Sequence, residues 1–273
     1  MSNQEQIEYW DGNAGNKWAT YQVQMDAMLR PLGLAGIEHL SPTAGTKVLD
    51  VGCGCGDTSL AMAERGAEVT GVDVSGPMLA RARERAAGEG LSISFARADA
   101  SSHVFDSPFD HMFSRFGVMF FADPIGAFGH IRSQLKPDGS LCFVCWRPAQ
   151  ENPWIALPTA ALFKHVSRPE EAPDPHAPGP FAFSDKNRVS ALLNEAGFGL
   201  VDVRPLDLEL NLGETALQAA GLIEQIGPAA RMLAEQPVKL AERVKAEFLE
   251  IMTAHHGAAG VTMGAACWIV SAS

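Results

Sequence analysis

Short β-rich runs alternate with amphipathic stretches through the middle of the chain. The runs "TKVLDV" (46–51), "AEVTGVD" (67–73), "SISFAR" (92–97), "FDHMFS" (109–114) and "SLCFVCW" (140–146) predict strands. Between them, 57–65, 76–87 and 124–135 carry apolar residues at helical spacing and predict helices. Asp57 or Thr58 can cap the first helix, Ser75 precedes the second, and Asp123-Pro124 opens the third. The turn residues "KPDG" (136–139) then stop that helix before the next strand. Strand and helix in alternation predict an α/β fold with a mostly parallel sheet and helices on both faces.

The pattern changes after Trp146. Residues 147–184 are rich in proline, and the spacing predicts neither helix nor central strand there, only a long excursion over the surface. A helix over 186–198 and a strand over 200–210 come next. Residues 214–253 return to helix, with Leu240, Val244, Phe248 and Met252 on one apolar stripe, and a β-rich tail begins at 261. Seven strand runs result. The predicted organisation is an N-terminal helical segment (1–40), a core (41–146), a proline-rich insertion (147–184), and the rest of the core (185–273). A helical cap at about 213–257 is inserted in that last part, before the final strand.

Composition narrows the function. The chain has 273 residues, 47% hydrophobic and 19% charged, with a net charge of −11. Such a charge repels a polyphosphate backbone, so nucleic acid is a poor partner. No apolar run reaches the roughly 18 residues of a membrane-spanning helix. The N-terminal residues lack the basic and apolar regions of a signal peptide. Five cysteines in no framework spacing predict reduced thiols and a cytoplasmic protein. Cys142 and Cys145, three apart on a predicted strand, point to opposite faces, so they cannot form half a zinc site. No metal is expected, and the adjacent His255 and His256 make no ligand pair on a helix.

The most informative stretch is "VLDVGCGCG" (48–56), in which Gly52, Gly54 and Gly56 lie between a strand and a helix. Glycines there let the backbone turn sharply and approach a ligand, and a helix start presents free N–H groups. Alone, the motif is shared with dinucleotide-binding folds. The next strand ends at Asp73, placed for ribose hydroxyls. The strand after it is followed by Asp99-Ala100, placed for an adenine edge.

Together these residues resemble the class I S-adenosylmethionine-dependent methyltransferases, most closely the small-molecule enzymes of ubiquinone and menaquinone synthesis. "VLDVGCGCG", "VTGVDVSGPML" and "ARADA" match that family's first three motifs. Residues 109–141 match its fourth-strand region and the helix, turn and strand after it. The resemblance implies a Rossmann-like, seven-stranded sheet, S-adenosylmethionine as cofactor and a small-molecule methyl acceptor. It implies that Gly52, Cys53 and Gly54 approach the methionine portion and that Asp73, followed by Val74, holds the ribose. Met78 would pack on the adenine, Asp99 and Ala100 would meet its edge, and the Ser114 carbonyl would lie near the amino group. The alternatives are an NAD(P)-dependent oxidoreductase, whose third glycine should come one residue later, and a non-catalytic cofactor-binding module.

Acceptor contacts are expected from three places. Tyr9, Trp10, Trp18 and Tyr21 gather aromatic rings ahead of the core, where they suit a sulfonium or a flat substrate, or staple the segment to the sheet; of these Trp18 is expected on the cofactor and the other three on the acceptor. Arg115 and Phe116 come directly after the fourth strand, Phe116 as a pocket wall and Arg115 facing an anionic group or a surface acid. Trp146 and Trp154 flank the start of the proline-rich segment and can line the same cleft. His111 and His130 read as packing rather than as bases. A general base is needed only if the acceptor must lose a proton.

Overall fold

The computed structural model describes residues 3–168 and 174–273. Three helices open the chain: α1 (Asn3–Asp11), α2 (Asn13–Thr20) and α3 (Gln22–Leu40). The core then runs β1 (Lys47–Val51), α4 (Asp57–Ala63), β2 (Glu68–Asp73), α5 (Gly76–Gly88), β3 (Ser94–Arg97), β4 (Phe109–Arg115), α6 (Pro124–Ser133) and β5 (Leu135–Trp146). It continues with α7 (Pro153–Leu162), α8 (Lys186–Glu195) and β6 (Asp202–Gly213). Three cap helices, α9 (Ala216–Ile223), α10 (Gly227–Ala234) and α11 (Val238–Ala254), precede β7 (His256–Gly257) and β8 (Gly260–Ala272).

The sheet order is β3-β2-β1-β4-β5-β8-β6. The first five strands are parallel, and β8 is antiparallel to both neighbours. Seven strands therefore form the continuous sheet, and the two-residue β7 adds an eighth as a short hairpin on β8. The order reverses between β1 and β4, so the carboxyl ends of these strands open a crevice where open α/β sheets bind ligands. Leu135 pairs with Phe109, and pairing resumes at His111 and Ser140 across an irregularity, so residues read as a turn lie in a bulge within β5.

Strand periodicity decides what covers each face. Cys142 Sγ meets the Gly36 carbonyl of α3 at 3.5 Å. A Cβ on Gly36 would lie 2.8 Å from Val144 and 3.0 Å from Phe113, so glycine is what lets α3 press onto the sheet there. Phe143, one residue along and on the opposite face, stacks on Phe128 of α6 with centroids 5.6 Å apart. Cys145 on that face meets the Phe183 carbonyl at 3.6 Å.

One expectation is corrected. The proline-rich insertion was predicted to contain no helix, yet Pro153–Leu162 is α7. Pro153 stands in its first turn, where no N–H is required, and only Pro158 interrupts its interior. Burying Trp154, Ile155, Ala161 and Leu162 outweighs that lost bond. Its predecessor Asn152 is fully buried and bridges two chain segments. Its Nδ2 donates to the Ala266 carbonyl at 3.1 Å, and its Oδ1 accepts the Ala266 N–H at 2.9 Å. Residues 169–173 of the insertion lie outside the described residues. In the cap, Val244, Phe248 and Met252 of the predicted stripe are fully buried and Leu240 packs beside them.

Candidate functional site

The chain leaves β1 through Gly52, Cys53 and Gly54, with φ of +67° at Gly52 and +54° at Gly54. The N–H groups of Gly52 and Cys53 donate to the Val72 carbonyl at 2.9 and 3.2 Å. A Cβ on Gly52 would come within 2.7 Å of Gly117 Cα, so the loop after β4 closes directly on the glycine turn. The Gly54 N–H donates to Asp73 Oδ2 at 2.9 Å and the Ser75 N–H to Asp73 Oδ1 at 2.8 Å. Burial raises the Asp73 pKa, opposed by N–H donors from Ser75, Gly54 and Val74. Each carboxylate oxygen has a second lone-pair site, so this pinned side chain can still accept a hydroxyl proton.

Asp50 lies beneath the loop, fully buried. Its Oδ2 accepts from Thr58 Oγ1 (2.8 Å) and Ser59 Oγ (2.6 Å), and Oδ1 has no partner among the described residues. Burial pushes its pKa up to about 6. At the far side, Asp99 Oδ2 accepts from Asn3 Nδ2 at 2.7 Å and Oδ1 from the Ser101 N–H at 2.9 Å. Burial works to raise the Asp99 pKa, but hydrogen bonds from Asn3 and Ser101 outweigh it and hold the carboxyl below its usual value. Ala100 is buried beside it. Met78 is buried, with Sδ 3.7 Å from where a Gly54 Cβ would stand. Ser114 Oγ donates to the Val51 carbonyl (2.7 Å) and accepts the Gly117 N–H (3.2 Å), tying β1 to the turn after β4.

Helices α2 and α3 roof this loop. Trp18, Gln22, Met25, Asp26 and Leu29 face Gly52–Cys55, Thr58, Arg115 and Phe116 around an enclosed space of about 40 Å³. Arg115, read as facing an anionic group or a surface acid, is paired at 2.7 Å with Asp57, whose side chain is only 2% exposed. The same carboxylate holds Arg30 at 2.6 Å, and Arg85 reaches it at 3.8 Å while pairing with Asp26 at 2.9 Å.

Phe116 has φ of +65°, a left-handed conformation rare for a bulky side chain. Its ring lies flat on Trp146, centroids 4.2 Å apart, and Trp146 meets Trp154 at 5.2 Å. Trp10 packs edge-on against Phe120 and Trp18. Tyr9 is part-exposed beneath the Arg231 guanidinium of α10, and Tyr21 packs on the core outside the enclosed space.

The structure thus gathers Trp18, Gly52, Cys53, Gly54, Arg115 and Phe116 around one cleft, with Asp73 hydrogen-bonded to its rim and Trp146 behind Phe116. Sequence reasoning missed Gln22, Asp26 and Asp57. For Gln22 and Asp26 the signal was their four-residue spacing on α3, whose polar face resembles a solvated one, while Asp57 stood in the first turn of α4 and read only as a cap. A separate hollow of about 360 Å³ lies away from the loop, lined by Thr46, Asp110, His111 and Lys136 among others. His111 there meets Ser140 Oγ at 2.9 Å, and burial lowers its pKa. His130 Nε2 meets the His103 carbonyl at 2.7 Å.

Comparison with known proteins fixes the family. A methyltransferase-domain family model matches residues 48–139. A demethylmenaquinone methyltransferase of Clavibacter sepedonicus is 30% identical over 213 residues, covering 75% of this chain and 82% of that protein. This chain belongs to the S-adenosylmethionine-dependent methyltransferases. A demethylmenaquinone methyltransferase of Thermus thermophilus is 41% identical over 108 residues, 38% of this chain and 49% of that protein. The chain spans about half the length of several curated relatives it matches. Its fold is shared with a Haemonchus contortus phosphoethanolamine N-methyltransferase solved with phosphomonomethylethanolamine and S-adenosylhomocysteine. That match has a TM-score of 0.56 at 21% identity, covering 89% of this chain and 52% of the other.

The residues present fit the family's cofactor. The open side of Gly54 leaves a cradle that a side chain would narrow, and the Asp73 carboxylate is held at its edge by two N–H groups. Among the described residues no helix is long and apolar enough to cross a membrane.

Proposed function

We propose that this methyltransferase moves the methyl group of S-adenosylmethionine to O, N or C of a small, apolar or aromatic acceptor. The observation that carries the reading is the meeting of the Asp73-pinned glycine loop with the stacked Phe116 and Trp146 rings at the carboxyl ends of β1, β4 and β5. When bound, S-adenosylmethionine supplies a methyl group activated on a sulfonium.

The chain's own groups then bind and orient. Gly52, Cys53 and Gly54 approach the methionine portion through backbone, Asp73 and Val74 hold the ribose, and Met78 flanks the adenine. Asp99 and Ala100 meet the adenine edge, and the Ser114 carbonyl takes the amino group. Trp18 closes the roof, while Phe116 and Trp146 wall the acceptor side and exclude water. Holding donor and acceptor in line supplies much of the rate for a displacement. Helices α1–α3 serve as the lid and α9–α11 as the cap on the acceptor side. The relatives named for demethylmenaquinone make quinols the first acceptors to try. Five free, buried cysteines suit a cytoplasmic protein.

Isothermal titration with S-adenosylmethionine, followed by turnover on a panel of quinols, phenols and amines, tests the reading. Micromolar cofactor binding lost in Asp73→Ala, with demethylated cofactor released on one acceptor, is the expected result. Preferential binding of NAD(P) would restore the oxidoreductase reading. Binding without turnover on any acceptor would favour a non-catalytic module.

A further inference from the structure

Trp154 carries a donor that the fold leaves unused. Its side chain, on α7, is only 6% exposed. Its Nε1 is shut off from solvent and has no hydrogen-bond partner among the described residues. A buried indole N–H ordinarily finds a partner, because leaving one unmade costs more than making it returns. Trp268 shows the ordinary solution, with Nε1 donating to the Ser184 carbonyl at 2.8 Å.

The place of the ring gives the unused donor its meaning. Trp154 meets Trp146 at 5.2 Å, and Trp146 lies flat on Phe116, which lines the space beside the glycine turn. Helix α7 also packs against α10 and α11, so the donor stands where ring stack, core and cap converge. Other buried polar atoms without partners lie elsewhere: Asp50 Oδ1 beneath the glycine loop and Arg188 Nε on α8. Arg147 Nε belongs to a guanidinium stacked over Trp268, which registers with Cys145 and so faces away from Trp146.

Charge decides what the donor can take. The rings of Phe116, Trp146 and Trp154 carry none. Arg147 is occupied by Glu151 and Asp207, and Arg115 by Asp57. An anion among these rings would be buried without a counter-charge, whereas a neutral oxygen needs only a donor. An indole N–H donates and never accepts, so it has nothing to offer an ammonium group.

We propose that Trp154 Nε1 selects the acceptor by donating to a neutral oxygen, carbonyl or hydroxyl, carried on a flat ring packed against Phe116 and Trp146. This rests on the reading of those rings as the acceptor wall, and it makes Trp154 a specificity residue rather than a packing one. The oxygen it holds is not the atom methylated, since a donor there would draw on the electron pair that the displacement needs. Because Nε1 is enclosed, the acceptor reaches it by parting α7 from its neighbours.

The test uses the full chain saturated with S-adenosylhomocysteine and three probes of one shape. They are 1-acetylnaphthalene, 1-isopropenylnaphthalene, which has a methylene in place of the oxygen, and 1-naphthoate. By titration, wild type should bind the ketone roughly five- to a hundredfold more tightly than the alkene, the range for completing one buried donor. The naphthoate should bind more weakly than the ketone. In proton–nitrogen correlation spectra of the five indoles, the ketone alone should move the Trp154 proton downfield, a peak assigned by its loss in Trp154→Phe. Trp154→Phe should bring ketone and alkene to near equality while still binding S-adenosylhomocysteine. Equal binding of those two by wild type would overturn the proposal, whether or not the variant folds. So would an unchanged preference in Trp154→Phe, or an indole proton already shifted upfield by the Trp146 ring and unmoved by the ketone. Tightest binding of the naphthoate would put a cation in the pocket and refute the neutral oxygen. Binding of S-adenosylhomocysteine with none of the three probes would reject the aromatic-acceptor reading itself, and the proposal with it.

Discussion

The ring of Phe116 lies 5° from parallel with that of Trp146, held there by a backbone turned to φ +65°. A phenylalanine in this region is strained by about 1–2 kcal/mol. The strain is tolerated because the turn that aims the ring also brings Gly117 against Gly52. Phe116→Ala and Phe116→Gly both delete the ring, but only glycine relieves the backbone. The glycine variant should therefore be the more stable by about 1 kcal/mol in urea denaturation, the reverse of the usual order. Both should raise the acceptor KM.

Asp50 should make stability fall as pH rises. Its folded pKa of about 6 lies above the ordinary carboxylate value of about 3.9, so the folded state holds the proton more tightly. The stabilisation from that proton is full below pH ~4 and lost as pH climbs through about 6, a swing of about 3 kcal/mol. Asp50→Asn lacks this titration. Between pH 4 and pH 8, denaturation curves should show the variant gaining about that much on wild type. Parallel pH profiles for the two proteins would contradict the assignment.

Asn152 should matter more than its place beside a proline-rich segment suggests. Asn152→Ala leaves the buried Ala266 N–H without its partner, while the Ala266 carbonyl keeps the Arg147 N–H at 3.0 Å, a loss of about 1–3 kcal/mol by chemical denaturation. Asn152→Asp keeps the acceptor but sets a carboxylate against the carbonyls of Arg147, Pro148 and Ala266. That variant should recover stability as pH falls and the carboxyl regains a proton.

The cysteines should be silent. All five are free and buried, and burial pushes the Cys53 thiol well up and those of Cys55 and Cys142 to about 12. A thiolate reagent at pH 8 should label almost none in the native protein and five after denaturation. Cys53→Ala should bind cofactor nearly as wild type, whereas Gly54→Val should not, because φ of +54° penalises a branched side chain.

The glycine loop, the strand-ending acids and the sheet were legible because each rests on local chemistry. Gly52 and Gly54 are needed wherever a backbone takes positive φ, and Asp73 falls where its strand ends. Helix α7 was hidden because Pro153 and Pro158 were read as breakers, while the apolar surface of Trp154 and Leu162 decides the matter through contacts with the core. Gln22 and Asp26 looked solvated because their partners, Arg81 and Arg85, lie some 59 residues further along. The left-handed turn at Phe116 carries no sequence signal, since tertiary packing alone imposes it.

The contacts of α1 tie the start of the chain to the core. Asn3 holds Asp99, and Asp11 holds both the Gly76 N–H (2.8 Å) and Arg97 (2.6 Å), so this first helix is latched to the ends of β2 and β3, the side proposed for the adenine. Beneath the adjoining roof, the gap of about 40 Å³ holds little more than one water, far less than a nucleoside. On the proposed cofactor placement, loading would have to part the roof of α2 and α3 from the loop, and α1, tied to the same side, would move with it. Weakening the latch with Asp11→Ala should quicken cofactor exchange while loosening its grip, which would make a contact 65 residues from its partner in sequence a control on the proposed site.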